Sequence, residues 1–186
     1  EGQGPGQQTK TVKAEAANVK NLNQAGEVKI VIDGGTLTVD AEGDGLDANG
    51  SIEINGGTVV VNGPTSGANA ALDYDDNGKL NGGTVLFVDN GEMTMGFGSD
   101  SSQAFLMASV QGTAGTTVEV VDSSGKTVAS LKASKAFSTV LISSPEIKEG
   151  EKYTIKVGSN TTTATASKQA ANVGGGPEQG GPGGGQ

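Results

Sequence analysis

Acidic and amide side chains recur at a spacing that could hold a hard metal ion. The segment Leu46-Asp47-Ala48-Asn49-Gly50 returns later in the chain as Leu72-Asp73-Tyr74-Asp75. If the two copies stack on neighbouring strands about 5 Å apart, the carboxylates of Asp47 and Asp73 repel by roughly 3 kcal/mol. Calcium removes that repulsion and prefers oxygen ligands. The pattern therefore predicts a calcium site with the side-chain ligands Asp44, Asp47, Asn49, Asp73 and Asp75.

A simpler interpretation of the same residues stays open. Asp-Gly and Asn-Gly pairs favour turns, so Asp44-Gly45 and Asn49-Gly50 could mark bends alone. Lys13 would then neutralise the acids, because Val12-Lys13-Ala14 aligns with Leu46-Asp47-Ala48 as an earlier, degenerate repeat. The spacing of the acids is not that of an EF-hand loop.

Positioning these side chains requires a repeated strand-and-turn unit. One phrase occurs three times, as Asp33-Gly34-Gly35-Thr36, Asn55-Gly56-Gly57-Thr58 and Asn81-Gly82-Gly83-Thr84, and short β-branched runs flank each copy. This period is typical of a parallel β-helix, in which equivalent residues stack about 4.8 Å apart. We therefore expect one ladder of Asp and Asn side chains, one of threonines, and glycines with positive φ at the shared bend.

Two further observations bear on the fold class. Hairpin turns between antiparallel strands are the alternative, but hairpins would not reproduce two phrases in a fixed order. An aromatic content of 3% and 32 glycines also favour thin, stacked strands over a thick core. The sequence predicts an all-β fold, in which a short parallel β-helix is followed by a small antiparallel β capping module.

The chain divides into four predicted regions. They are a Gly/Pro arm with a degenerate first turn (1–24), the repeats (25–92), the antiparallel module (93–167) and a flexible Gly-rich tail (168–186). Within the module, β patterning predicts strands at 104–110, 117–121, 126–131, 137–142, 153–157 and 161–166. The last turn of a coil exposes unpaired backbone groups, so we expect the module to cover one end. The amino-terminal arm, or a neighbouring subunit, is expected to pair with the first turn at the other end.

Charge and composition limit the possible functions. Residues 33–92 hold eleven acids and one base, Lys79, so the formal net charge of −9 belongs to the repeats. This charge disfavours nucleic acid as a partner and attracts cations. The sequence contains no His, Cys, Trp or Arg, which excludes catalytic thiols, imidazole bases and Cys/His zinc sites. No apolar run approaches the length that crosses a membrane, so we expect no membrane insertion.

The repeats also resemble a known family. The runs Gly43-Asp44-Gly45-Leu46-Asp47-Ala48-Asn49-Gly50 and Ala71-Leu72-Asp73-Tyr74-Asp75 resemble the bacterial carbohydrate-binding β-helix proteins typified by the clostridial polygalacturonate-binding surface protein. That family is similar in fold to the family 9 polysaccharide lyases, and the resemblance covers roughly residues 28–157. It implies a right-handed, calcium-containing coil that is secreted or displayed on the cell surface and binds acidic plant polysaccharide.

Three functions follow as hypotheses. The first is non-catalytic, calcium-dependent binding of acidic, polygalacturonate-like polysaccharide, with Tyr74, Asp75 and Lys79 contacting the ligand. The second is a structural subunit of an extracellular assembly, a homo-oligomer or filament formed through the open β-helix end. The third is a polysaccharide lyase, in which only a lysine such as Lys79 could serve as the base. We expect no enzyme activity and an extracellular or cell-surface location, with the chain a mature or excised segment because it begins at Glu1.

Overall fold

The described part of the protein consists of β-strands. The computed structural model describes residues 10–24 and 27–169, with the backbone alone described for 14–24 and 27. These residues form fourteen strands and no helix, which confirms the all-β class. The strands are β1 Lys10–Gln24, β2 Glu27–Ala41, β3 Leu46–Ala48, β4 Ser51–Ile54, β5 Thr58–Asn62, β6 Leu72–Tyr74, β7 Asn77–Leu80, β8 Thr84–Asp89, β9 Leu106–Gly112, β10 Thr117–Val121, β11 Thr127–Lys132, β12 Phe137–Ser143, β13 Lys152–Val157 and β14 Asn160–Thr165.

The largest sheet has eight strands and is mixed. Its order is β7-β4-β2-β5-β8-β12-β9, and β1 also pairs with β2. Strand β2 is long enough to serve two rows, because Lys29–Ile32 pairs with β4 and Thr36–Asp40 pairs with β5. The sheet therefore curls around the bend in β2. Strands β3 and β6 form a separate two-stranded sheet.

The predicted repeat is present as parallel registers. Thr36 pairs with Thr58 and Thr58 with Thr84, so the last residues of the three phrases lie side by side. Strands β2, β4 and β7 are also parallel, so the alternative of hairpins between antiparallel strands is wrong for these segments. A complete parallel β-helix is not shown, because antiparallel strands β1, β12 and β9 belong to the same sheet.

The Gly-Gly pairs form the bend between the two rows. The second glycine of each pair has positive φ, at 80° for Gly35, 86° for Gly57 and 92° for Gly83. A Cβ on Gly57 would also lie 2.5 Å from the carbonyl oxygen of Gly35. Both the backbone angle and the close approach of neighbouring repeats therefore require glycine here.

The predicted polar ladder runs along this bend. Nδ2 of Asn55 donates to Oδ1 of Asp33 at 2.9 Å, and Nδ2 of Asn81 donates to Oδ1 of Asn55 at 3.0 Å. The hydroxyl of Ser102 donates to Oδ1 of Asn81 at 3.1 Å and extends the ladder by one rung. The hydrogen-bonded ladder confirms that equivalent residues of successive repeats stack.

The alignment of Val12-Lys13-Ala14 with Leu46-Asp47-Ala48 as an earlier, degenerate repeat is wrong. Strand β1 runs antiparallel to β2, from Lys10 opposite Ala41 to Gln24 opposite Glu27. Lys13 lies opposite Thr38 and not above Asp47. An antiparallel partner satisfies the backbone groups of β2 along nearly its whole length, as expected of an amino-terminal segment that pairs with the first repeat. Residues 1–9 of the predicted first region and 170–186 of the predicted tail lie outside the described residues, and the four region boundaries stay a prediction.

Two hydrophobic cores lie on opposite faces of the large sheet. The inner core, between the rows of the repeats, contains Val85 and Phe87 of β8. The outer core contains Leu86 and Val88 of the same strand. It is closed by an antiparallel four-stranded sheet of order β11-β10-β13-β14, which packs on the face of β8, β12 and β9. The predicted antiparallel strands are thus present, and β8 is buried on both sides.

Candidate functional site

The central predicted ligands lie on the two-stranded sheet. Asp47 of β3 pairs in parallel register with Asp73 of β6, and Leu46 pairs with Leu72. Strand alternation places the leucines in the inner core and leaves Asp47 exposed. The predicted stacking of the two acids is therefore confirmed. We call Asp44, Asp47, Asp73 and Asp75 the acidic edge.

The acids of this edge repel one another. The pKa of Asp73 is raised above its ordinary value of 3.8, first by burial and then by the charges of Asp44, Asp47 and Asp75. Asp73 thus lies close enough to Asp44, Asp47 and Asp75 for their charges to act on its carboxyl, and these are four of the five predicted metal ligands. Asn49, the fifth, is exposed in the turn that follows β3. A negative potential of this kind attracts cations.

The acidic edge fits calcium in its chemistry but is not a closed metal site. Oδ1 of Asp44 accepts a hydrogen bond from the backbone N–H of Ala70 at 2.8 Å, so the loop before β6 already uses this oxygen. Among residues 10–24 and 27–169, no group of three or more acidic side chains is arranged to hold a metal ion. Side-chain oxygens are therefore present for a hard cation without a complete coordination shell.

Tyr74 is held in place by the protein. Its hydroxyl donates to the carbonyl oxygen of Gly96 at 2.7 Å, and partial burial raises its pKa. A Cβ on Gly78 would collide with the ring, so the ring lies directly against the backbone of β7. One face of the ring and the hydroxyl group are thus occupied by protein. Stacking of Tyr74 on a sugar stays a prediction that only the remaining ring surface could support.

Lys79 lies apart from Tyr74, in a groove on the outer face of β2, β4 and β7. The groove has a volume of about 280 Å³ and is lined by Val28, Lys29, Ser51, Ile52, Glu53, Asp76, Asn77 and Lys79. We call it the strand-face groove. Asp75 is exposed beside it but not part of its lining, and its backbone N–H donates to the carbonyl oxygen of Ala48 at 3.2 Å.

The groove combines both signs of charge. Lys29 forms an ion pair with Glu53, and Lys79 is paired in register with Glu53 on the neighbouring strand. The pKa of Glu53 is lowered, chiefly by the hydrogen bond from Lys29, while partial burial opposes the shift and Lys79 adds a smaller effect. Two lysines therefore flank one carboxylate, where an acidic ligand could exchange with Glu53.

Comparison with known proteins places the chain in a family. A family model described as a carbohydrate-binding domain-containing protein matches residues 6–178. The chain belongs to this carbohydrate-binding family. No curated protein and no solved structure matches it. The resemblance found in the repeats is thus supported as far as carbohydrate binding.

Most lining residues of the strand-face groove in this carbohydrate-binding family member were not predicted from the sequence. The prediction named Lys79 but not the residues that share the face, among them Lys29, Ser51, Glu53 and Asn77. The signal was available, because positions 29, 51 and 77 repeat with the same spacing as the first residues of the three Gly-Gly phrases. Because side chains alternate along a strand, the residues two and four positions before the first residue of each phrase face outward in the same row.

Proposed function

We propose that this protein binds polysaccharide without cleaving it. The observation that carries the proposal is the match to the carbohydrate-binding family over residues 6–178. The repeats support it, because stacked strands present equivalent side chains at a regular step of about 4.8 Å and a polysaccharide also presents equivalent groups at regular steps. Lys79, the base that a lyase would need, lies in register with Glu53, and its positive charge adds a small part of the lowering of that carboxyl's pKa, after the hydrogen bond from Lys29.

We further propose that the ligand is acidic and that its binding depends on calcium. The raised pKa of Asp73 supports this, since its causes are burial first and then the charges of neighbouring acids, and a divalent cation would relieve the repulsion among those acids. Asp47 and Asp73 would hold the ion, which would supply the positive charge that attracts a uronate carboxylate. Because the side chains alone do not complete a shell, carboxylates of the ligand would supply further oxygen atoms.

The setting of this activity is part of the same proposal. A surface for acidic polysaccharide suits a protein that acts outside the cell or at its surface, and the parallel strands would be turns of a short right-handed coil. Assembly into filaments is less well supported, because β1 already covers the first repeat that such a contact would use. The described residues include no helix long and apolar enough to span a membrane.

Binding to polygalacturonate tests both levels of the proposal. We expect retardation of the protein in a gel containing polygalacturonate, with calcium present, and loss of that retardation in chelator. Asp47→Asn should weaken binding at least about tenfold, as expected when one charged contact is lost. Glu92→Gln, which removes one charge from an exposed position after β8, is the matched control and should bind normally.

The outcomes distinguish polysaccharide binding in general from calcium-dependent binding of an acidic ligand. Equal binding in calcium and chelator would refute the calcium step and leave carbohydrate binding intact. No binding to polygalacturonate or to any neutral polysaccharide would refute the function itself. Ultraviolet absorbance from unsaturated uronate, abolished by Lys79→Ala, would show a lyase in its place.

A further inference from the structure

A second cavity opens far along the chain from the acidic edge. Its volume is about 410 Å³, within the range of about 300–1,000 Å³ common for ligand pockets. It lies where the end of β9, the start of β12 and the β13–β14 turn meet the loops that follow β5 and β8. We call it the uncharged cleft. Its lining residues are Thr65, Asn90, Gln111, Gly112, Thr113, Thr116, Ala136, Phe137, Ser138, Val157, Gly158, Ser159 and Asn160.

The lining contains hydroxyl and amide groups but no charged side chain. In a chain with 18% charged residues this is a clear contrast with the strand-face groove, which has two lysines and two acids in its lining. Hydroxyl and amide groups both donate and accept hydrogen bonds, as the hydroxyls of a sugar do. A charged ligand would find no counter-charge here and would lose its hydration without compensation.

The floor of the uncharged cleft is apolar. A Cβ on Gly112 would collide with the ring of Phe137 and with Val157, so glycine allows these side chains to close the floor. Phe137 is only 4% exposed and therefore contributes a buried floor and not a free stacking surface. An apolar floor with polar walls suits a sugar ring, which has C–H faces and a polar rim.

A β-bulge lies at this floor. Ser109 pairs with Thr139 and Gly112 with Phe137, so three steps along β9 oppose two along β12. Bulges redirect side chains and are common beside functional sites. Gln111 and Ser138 lie within the irregularity, and neither side chain forms a hydrogen bond within the part of the chain that the structure describes. These groups are therefore open to a ligand.

Hydrogen bonds within the lining of the cleft and to residues around it fix its walls. Nδ2 of Asn90 donates to the carbonyl oxygen of Gly67 at 2.8 Å. Nδ2 of Asn160 donates to the carbonyl oxygen of Gln111, also at 2.8 Å. The backbone N–H of Ser134, just before Ala136, donates to Oδ1 of buried Asn62 at 2.8 Å. A cleft held in this way costs little conformational entropy when a ligand binds.

We propose that the uncharged cleft binds a neutral sugar unit of a polysaccharide, as a site separate from the acidic edge and the strand-face groove. The inference rests on the proposed carbohydrate-binding function but differs from it in ligand charge, place and independence of calcium. One protein could then hold an acidic and a neutral stretch of polysaccharide at once.

The test is a titration of the full chain, in chelator, with neutral oligosaccharides of β-glucan, galactan and mannan, followed by calorimetry. We expect at least one of them to bind. Gln111→Ala and Ser138→Ala should each weaken that binding by about three- to tenfold, the effect of one lost hydrogen bond. Ser130→Ala, on the exposed face of β11, is the matched control for the serine change, and Asp47→Asn controls for the acidic edge.

Two results would overturn the inference. One is the absence of binding to every member of the neutral panel, and the other is binding that both cleft variants leave unchanged. If polygalacturonate binding persists in either case, the proposed function survives and only the neutral site fails. If no polysaccharide of either kind binds, both proposals fail together.

Discussion

The repeats and the antiparallel part of the molecule share one sheet but present different surfaces to solvent. Residues 33–92 carry eleven acids against one lysine, whereas the uncharged cleft, which is lined mostly by the antiparallel part, has no ionisable side chain. Both surfaces are rich in hydrogen-bonding groups, so their difference lies in charge and not in polarity. Net charge taken over the whole chain hides this difference, on which the two proposed kinds of ligand depend.

The largest expected effect concerns the strand that joins the two regions. Leu86 of β8 is fully buried in the outer core, while its neighbour Phe87 belongs to the inner core. Leu86→Ala should lower the free energy of unfolding by about 2–5 kcal/mol and destabilise both regions together. Met93→Ala, at a side chain 57% exposed, should stay within about 0.5 kcal/mol of wild type.

The two tyrosines can show whether both regions are destabilised together. Tyr74 contacts the inner core and Tyr153 belongs to the outer core, and the sequence contains no tryptophan. Urea unfolding followed by tyrosine fluorescence in Tyr74→Phe and in Tyr153→Phe, each with and without Leu86→Ala, reports one region at a time. Destabilisation confined to the Tyr153 signal would show that the regions unfold independently.

A smaller effect is expected at the polar ladder, which belongs to the repeats alone. Asn55→Ala removes two hydrogen bonds, the one that Asn55 donates to Asp33 and the one that it accepts from Asn81. Because the site is exposed, the loss should be about 1 kcal/mol in urea unfolding. Asn49→Ala, measured in chelator, is the same change at an exposed asparagine outside the ladder, and an equal loss there would assign the effect to backbone propensity.

Replacing Asp73 should stabilise the protein, whereas the substitutions above destabilise it. The raised pKa of Asp73 means that the folded state binds the proton more tightly than the unfolded state does. The stability it contributes is present below its ordinary pKa of 3.8 and is lost as pH rises through the higher folded value. Asp73→Asn should therefore stabilise the protein in chelator near about pH 7, by less than about 1 kcal/mol, and the gain should vanish in acid.

Calcium sharpens this experiment. If calcium occupies the acidic edge, its addition should stabilise the wild type and not Asp73→Asn, so that the gain shrinks or reverses. Thermal unfolding at matched calcium concentrations measures the difference. A gain that persists unchanged in acid would contradict the electrostatic origin of the effect.

The smallest effect is expected at Glu53, with a pH dependence opposite to that of Asp73. Its pKa lies below the ordinary 4.5, chiefly because Lys29 donates a hydrogen bond to the carboxylate. Its contribution is present above that value and is lost as pH falls through the folded pKa. Glu53→Gln should cost about 0.5 kcal/mol near neutral pH, less in high salt, and nothing in acid. A loss that is the same in acid would indicate packing.

Patterns local to the repeat were predictable from sequence. The stacking of Asp47 on Asp73 and the Asp33–Asn55–Asn81 ladder follow from phrases whose spacing fixes the register. Strand β1 was misplaced because a match as short as Val12-Lys13-Ala14 carries little information, while an edge of β2 accepts any antiparallel strand of suitable length. Local similarity therefore predicted neither the strand that pairs with Val12-Lys13-Ala14 nor the direction of the pairing.

Features that depend on distant segments were not predictable. The commitment of an Asp44 oxygen to the N–H of Ala70 depends on a loop conformation that no motif encodes. The uncharged cleft gathers residues from Thr65 to Asn160, none of which stands out by type or spacing. Only the packing of the four-stranded sheet on β8, β12 and β9 brings them together.

The polar ladder has a direction, and that direction limits how the chain can change in length. A carboxylate only accepts hydrogen bonds, so Asp33 fixes the first rung as an acceptor and turns the Nδ2 group of Asn55 toward it. Asn81 repeats the same orientation toward Asn55, and Ser102 ends the series as a donor. A duplicated repeat that carries asparagine at this position could enter between existing rungs without altering either end. One that carries aspartate could not, because its carboxylate would face either the carboxylate of Asp33 or the amide oxygen of an asparagine, with no proton between the two acceptors.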